Sequence, residues 1–305
     1  MNRPPLAASL LACTLIVLGS GLLSHCGETD QAGNAAYAHT QAIVAFGPRP
    51  PGSESLDKSR RYVSEALTKH GWITQAREFT SFTPKGQVTF TNLVARYAPD
   101  GDNPEVWTRP VQGILCAHLD SKLFDDQIFL GADDAASAVA LILELAPDLA
   151  RNDPAKAKQL ELAFFDGEEA FGPSLTPRDG IYGSRRYAAA WRRQEHKPSF
   201  GILLDMIGHK DLSIAIPSDS PKHLADLLFK TANDLKQQNR FRRSPSPIID
   251  DHVPLNNAGI PTIDIIGDFA SANWWHNSRD NMDLISPRSL EISFQVVRTM
   301  LDELL

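Results

Sequence analysis

Apolar positions along this chain recur with two different periods. Over residues 53–70 they come at helical spacing, with Tyr62, Val63 and Leu67 placed to share a face. Residues 72–79 and 87–97 instead alternate or carry β-branched side chains, as paired strands do. Residues 111–117 form a short apolar run that ends in His118. Helices and strands then alternate. The pattern predicts a helix over 135–149, a buried strand over 160–165, a helix over 182–193 and a strand over 201–206. A helix over 224–238, a strand over 261–266 and a closing helix over 290–305 follow. This order predicts an α/β fold, a three-layer sandwich with a mixed, largely parallel central sheet flanked by helices. In such sheets the ligand crevice lies at the carboxyl ends of the strands.

The first 26 residues stand apart. Arg3 gives a positive start, residues 6–23 are apolar and nearly uncharged, and Ser24-His25-Cys26 follows. That is the layout of a secretory signal, and no later apolar run is long enough to span a membrane. Leu23-Ser24-His25-Cys26 resembles a bacterial lipoprotein box, with His25 in place of the usual small residue, so Cys26 is a candidate lipid anchor. Export to the periplasm or the membrane surface is expected. Residues 27–38 are small and polar and read as a tether, leaving 39–305 as one domain.

Composition narrows the partners. The 305 residues carry a net charge of −7, which argues against nucleic acid, whose binding needs clustered Lys and Arg. Arg240, Arg242 and Arg243 lie beside Ser-Pro-Ser-Pro and read as a solvated loop. Cys116 is the only cysteine after the leader, so folding rests on a packed core rather than an internal bridge.

The chemistry-bearing residues fall where the crevice rule puts them. His118-Leu119-Asp120-Ser121 ends one strand and Asp166-Gly167-Glu168-Glu169 the next. Asp205-Met206 ends a third, and Trp274-Trp275-His276 follows the last. Asp133 and Asp134 precede a helix start. Singly, each has a plain explanation: Asp134 as a helix cap, His118 as a hydrogen-bonded strand end, Asp205 as a turn residue. Glu168-Glu169 is harder to explain so, because adjacent carboxylates at a buried strand end repel, and a metal beside one of them relieves that. Jointly the set suits zinc, which takes imidazole nitrogen and carboxylate oxygen and leaves one position open in catalytic sites.

Gly131-Ala132-Asp133-Asp134, Asp166-Gly167-Glu168-Glu169-Ala170-Phe171, Tyr182-Gly183-Ser184-Arg185, Asp250-Asp251-His252-Val253-Pro254 and Trp275-His276 resemble the animal-type glutaminyl-peptide cyclotransferases. Those enzymes share a fold with the zinc aminopeptidases of peptidase family M28. The resemblance implies Asp134, Glu169 and His276 as ligands of one zinc per chain, and Glu168 as general acid/base. It implies Asp205 and Asp250 as an acidic hydrogen-bonding pair, and Trp275 as a pocket wall. His118 is then a hydrogen-bonding residue or a second-metal ligand. The substrates implied are peptides with N-terminal glutamine, and a monomer is expected. Three positions depart from the family pattern. Gly172-Pro173-Ser174-Leu175 lacks a tryptophan, for which Trp274 is expected to compensate. Cys116 has no bridging partner. Ile249 stands where a glutamine usually lines the site. The main rival is a two-zinc aminopeptidase, since His118 and Asp205 complete its ligand set. A non-catalytic binding ectodomain is the third reading, and it should have lost ligands or Glu168.

Overall fold

The computed structural model describes residues 31–101, 103–270 and 272–305, together with Met1. The leader expected over residues 1–26 lies otherwise outside the described residues. The chain opens with α1 (Gln31–Val44), α2 (Glu54–Thr68), β1 (Trp72–Thr83), β2 (Gly86–Tyr97), α3 (Pro104–Thr108) and β3 (Gly113–His118). Next come α4 (Ala138–Asn152), α5 (Pro154–Ala157), β4 (Leu160–Phe165), α6 (Tyr182–Trp191) and β5 (Phe200–Asp205). It closes with β6 (Ile214–Ile216), α7 (Lys222–Asp234), β7 (Phe241–Arg243), α8 (His252–Asn257), β8 (Thr262–Ile266) and α9 (Pro287–Leu304).

The central sheet has the order β1-β2-β4-β3-β5-β8. β3, β4, β5 and β8 run parallel, whereas β2 joins β4 antiparallel and carries β1 as a hairpin partner. Each of the four parallel strands is buried along its whole length, as expected of strands covered on both faces. One face packs Ala36, Ile43, Val63, Leu67, Val139, Leu228 and Val297, which come from α1, α2, α4, α7 and α9. The other packs Ile114, Ala163 and Leu203 against Tyr187 of α6 and Leu255 of α8. This is the mixed, largely parallel three-layer sandwich the pattern predicts.

Local chemistry sets the helix ends. Ser53 Oγ accepts the Leu56 amide at 3.1 Å to cap α2, and Ser286 caps α9 ahead of Pro287.

Three expectations need correction. Residues 31–38 belong to α1 rather than to a tether, and the Gly33 amide donates to Glu291 Oε2 at 2.8 Å. Their scarcity of large apolar side chains hides a helix held by α9 and α4. The helix expected from 135 begins at Ala138, because Asp134 and Ala135 hold non-helical backbone angles in the turn before it. Arg242 and Arg243 lie on a short strand and pair with Asp268 and Asp226, rather than sitting in a free loop.

Candidate active site

The carboxyl edge of the sheet gathers Asp134, Glu168, Glu169, Asp205, Ile249, Asp250, Trp275 and His276 around one cavity of about 340 Å³, with His118 and Trp274 outside its lining. Asp134, Glu169 and His276 each offer a ligand atom within 4.8 Å of the other two. His276 Nε2 lies 3.5 Å from Asp134 Oδ2 and 3.4 Å from Glu169 Oε1, and that buried oxygen has no hydrogen-bond partner. One imidazole nitrogen and two carboxylate oxygens converging from three segments fit zinc in its three-ligand form.

A second cluster shares Asp134. His118 Nε2 sits 3.1 Å from Asp134 Oδ1 and 3.4 Å from Asp205 Oδ1, without hydrogen-bond geometry to either. His118, Asp134 and Asp205 also converge within 4.8 Å of one another.

Buried polar groups to which no role was assigned from sequence hold this arrangement. Asp120, fully buried, accepts the amides of Glu168 at 3.1 Å and Glu169 at 3.2 Å. Asp280 does the same for Asp133 at 2.8 Å and Asp134 at 3.2 Å. Arg49 donates to the carbonyls of Leu119, Leu130 and Gly131, tying the β3 loop to the loop before Asp134. At Gly131 (φ +57) a Cβ would stand 2.0 Å from the Asp134 carbonyl oxygen, so only glycine fits that turn. Lys122 Nζ donates to the Ala170 carbonyl at 2.9 Å and lies 3.5 Å from Glu169 Oε2. None of these residues belongs to a patterned run, and most contact backbone far away in sequence.

Electrostatics divide the two glutamates' neighbourhood. Burial pushes the Glu168 carboxyl well above its usual range; His118 pulls it back, and Glu169 and Asp250 add to the rise. Burial likewise pushes Asp205 up to about 8 against the pull of His118. Burial works against a charged His276, but Asp134 and Glu169 outweigh it and raise the imidazole to about 9. Asp205 and Asp250 both face the cavity, and each keeps a buried carboxylate oxygen without a partner. Such an excess of buried acid calls for a bound cation or for shared protons.

The remaining wall is apolar. Pro173, Leu175, Ile248, Ile249, Phe269 and Trp275 line it. Trp275 stacks on His276 with ring centres 3.9 Å apart and leans on Phe269. Trp274 does not compensate for the missing tryptophan. It is buried behind the wall, stacked on His209 and packed with Met206 and Ile266. His276 itself has φ +55, in the left-handed region.

The chain is 28% identical over 295 residues to the glutaminyl-peptide cyclotransferase of Bothrops jararaca, covering 84% of this chain and 77% of that one. It is 28% identical over 276 residues to that of Dictyostelium discoideum, covering 77% and 75%. Among solved structures, Porphyromonas gingivalis glutaminyl cyclase superposes with a TM-score of 0.78 at 28% identity, over 90% of this chain and 98% of that one. A Zn-dependent exopeptidase from Parabacteroides distasonis gives a TM-score of 0.76 at 25% identity, over 88% and 97%. The family profile described as Peptidase family M28 matches residues 92–301. The chain belongs to peptidase family M28.

Proposed function

We propose that this chain is a glutaminyl-peptide cyclotransferase that converts N-terminal glutamine of peptides to pyroglutamate with release of ammonia. The observation that carries this reading is Glu168 lying next to the Asp134–Glu169–His276 cluster in a small cavity walled by Trp275, Phe269 and Leu175. The named cyclotransferase relatives support it. We propose zinc as the ion, one per chain, held by Asp134, Glu169 and His276. When bound it supplies Lewis-acid polarisation of the γ-amide carbonyl.

The chain's own residues do the rest. The apolar wall folds the glutamine side chain back toward its own α-amine and keeps water out, so the reaction is intramolecular and rests on positioning. Glu168, uncommitted to the metal cluster, accepts the α-amine proton as the nitrogen bonds to the carbonyl carbon of the side-chain amide. It then returns that proton to the amide nitrogen, which leaves as ammonia when its bond to the same carbon breaks. Asp205 and Asp250, which line the cavity, hold the amine and the departing nitrogen by hydrogen bonds. Trp275 covers the ring as it closes.

A second reading, a two-zinc aminopeptidase, is favoured by the His118–Asp134–Asp205 cluster. Ammonia from a glutamine-initiated peptide, set against free leucine from an N-terminal leucine peptide, separates the two. We further propose that residues 1–26 export the chain, with Cys26 at or near the mature start. Amino-terminal sequencing of the native protein tests that.

A further inference from the structure

Ile249 is 54% exposed, and it lines both the cavity described above and a neighbouring groove of about 480 Å³. The groove runs between α6, α8 and the segment that follows the paired glutamates. Its apolar floor is Ile181, Val253 and Pro254, and its charged lining is Arg185 and Arg192 with no acidic residue. That is a local reversal of sign in a chain with net charge −7. Arg185 is committed to structure: its guanidinium donates to the Pro177 and Thr176 carbonyls at 3.0 and 3.1 Å and so fixes one wall. Arg192 is exposed and has no ion-pair partner among the described residues.

A cyclotransferase substrate enters amino end first, because the reacting amine and amide both belong to its first residue. The chain beyond that residue has to leave the cavity, and Ile249 is the side chain shared by the cavity and the groove. We infer that the downstream part of the peptide crosses Ile249 into this groove, where Arg192, backed by Arg185, selects substrates with an acidic side chain a few residues after the glutamine. The inference rests on the cyclotransferase reading. Exposed guanidinium–carboxylate pairs are individually weak and screened by salt, so the preference is a modest factor that fades as salt rises.

The test uses the full chain with zinc and two alanine-rich peptides that begin with glutamine. A glutamate or a lysine is moved one position at a time along each, and the pair competes in one vessel. Glutaminyl-alanine amide, too short to reach the groove, reports the reaction itself. At low salt the expected kcat/KM ratio of glutamate over lysine peptide is roughly 3- to 10-fold at one or two positions. It should collapse toward one in high salt and invert in Arg192→Glu. Ammonia from the short amide together with equal use of both peptides would overturn the inference while leaving the activity standing. A wild-type ratio in Arg192→Glu would overturn it too. No ammonia from any glutamine substrate would remove the cyclotransferase reading, and the inference with it.

Discussion

Asp120 and Glu168 meet through the backbone: Asp120 Oδ1 accepts the Glu168 amide at 3.1 Å, while its other oxygen takes the Glu169 amide at 3.2 Å. One buried carboxylate thus fixes the turn that separates the proposed proton carrier from the proposed ligand. Asp120→Asn places an NH₂ against one of the two amides, so one hydrogen bond becomes a clash of donors. Turnover should fall roughly 10- to 100-fold in an otherwise folded protein. Wild-type kcat with unchanged zinc content would show that the turn needs no such clamp.

Glu168 and Glu169 should fail differently when each becomes glutamine. Glu168→Gln keeps shape but cannot take the amine's proton, so turnover should drop by roughly two to four orders of magnitude with zinc retained. Glu169→Gln replaces an anionic ligand with a neutral amide, so zinc affinity should fall and excess zinc should restore part of the activity. Paired elemental analysis and rate measurements decide. Zinc lost from the first variant and kept in the second would reverse the two roles.

Zinc uptake should depend on pH through His276. Its metal-free pKa is raised to about 9, so the imidazole is protonated at neutral pH and binding must expel that proton. Affinity should weaken about tenfold per pH unit lowered below that value, for one proton displaced. In the metal-free chain the sign is opposite, because there the bound proton itself favours the fold. A folded pKa above the ordinary histidine value adds stability that is complete below about pH 6.5 and lost as pH rises through about 9. Zinc titrations in buffers of different ionisation heat would show the proton release, and affinity flat across neutral pH would contradict it.

Gly131→Ala should disturb the metal loop without touching a ligand. The added Cβ meets the Asp134 carbonyl oxygen at 2.0 Å in a backbone conformation with φ +57. A cost of about 2–3 kcal/mol is expected, with weakened zinc binding. Thermal unfolding with and without zinc checks this, and an unshifted Tm would mean that the loop relaxes freely.

Much of the fold could be read from the sequence where burial imposes a pattern. β4 is an unbroken apolar run buried end to end, and its predicted and observed limits coincide. The candidate site residues were legible because a parallel sheet delivers the chemistry of separate strand ends to one edge, while the choice of Asp134, Glu169 and His276 as ligands rests on the family resemblance. What stayed hidden depends on partners distant in sequence. Gln31–Val44 is poor in large apolar residues and becomes a helix by packing on α9, with Glu291 taking the Gly33 amide. Arg49, Asp120 and Asp280 bind backbone groups, which no side-chain pattern records. Trp274 and Trp275 are adjacent indoles in the sequence, yet one stacks on His209 behind the wall and the other on His276.

The central claim is that the substrate's own amine, rather than water, attacks the glutamine side chain. Purified protein loaded with zinc should be incubated with a glutamine-initiated peptide and, separately, with a leucine-initiated one, and the products followed by mass spectrometry. The first peptide should lose one ammonia and become blocked to amino-terminal sequencing, while the second stays intact. Release of free leucine or free glutamine, with no ammonia lost from the intact peptide, would contradict it and establish the two-metal aminopeptidase instead.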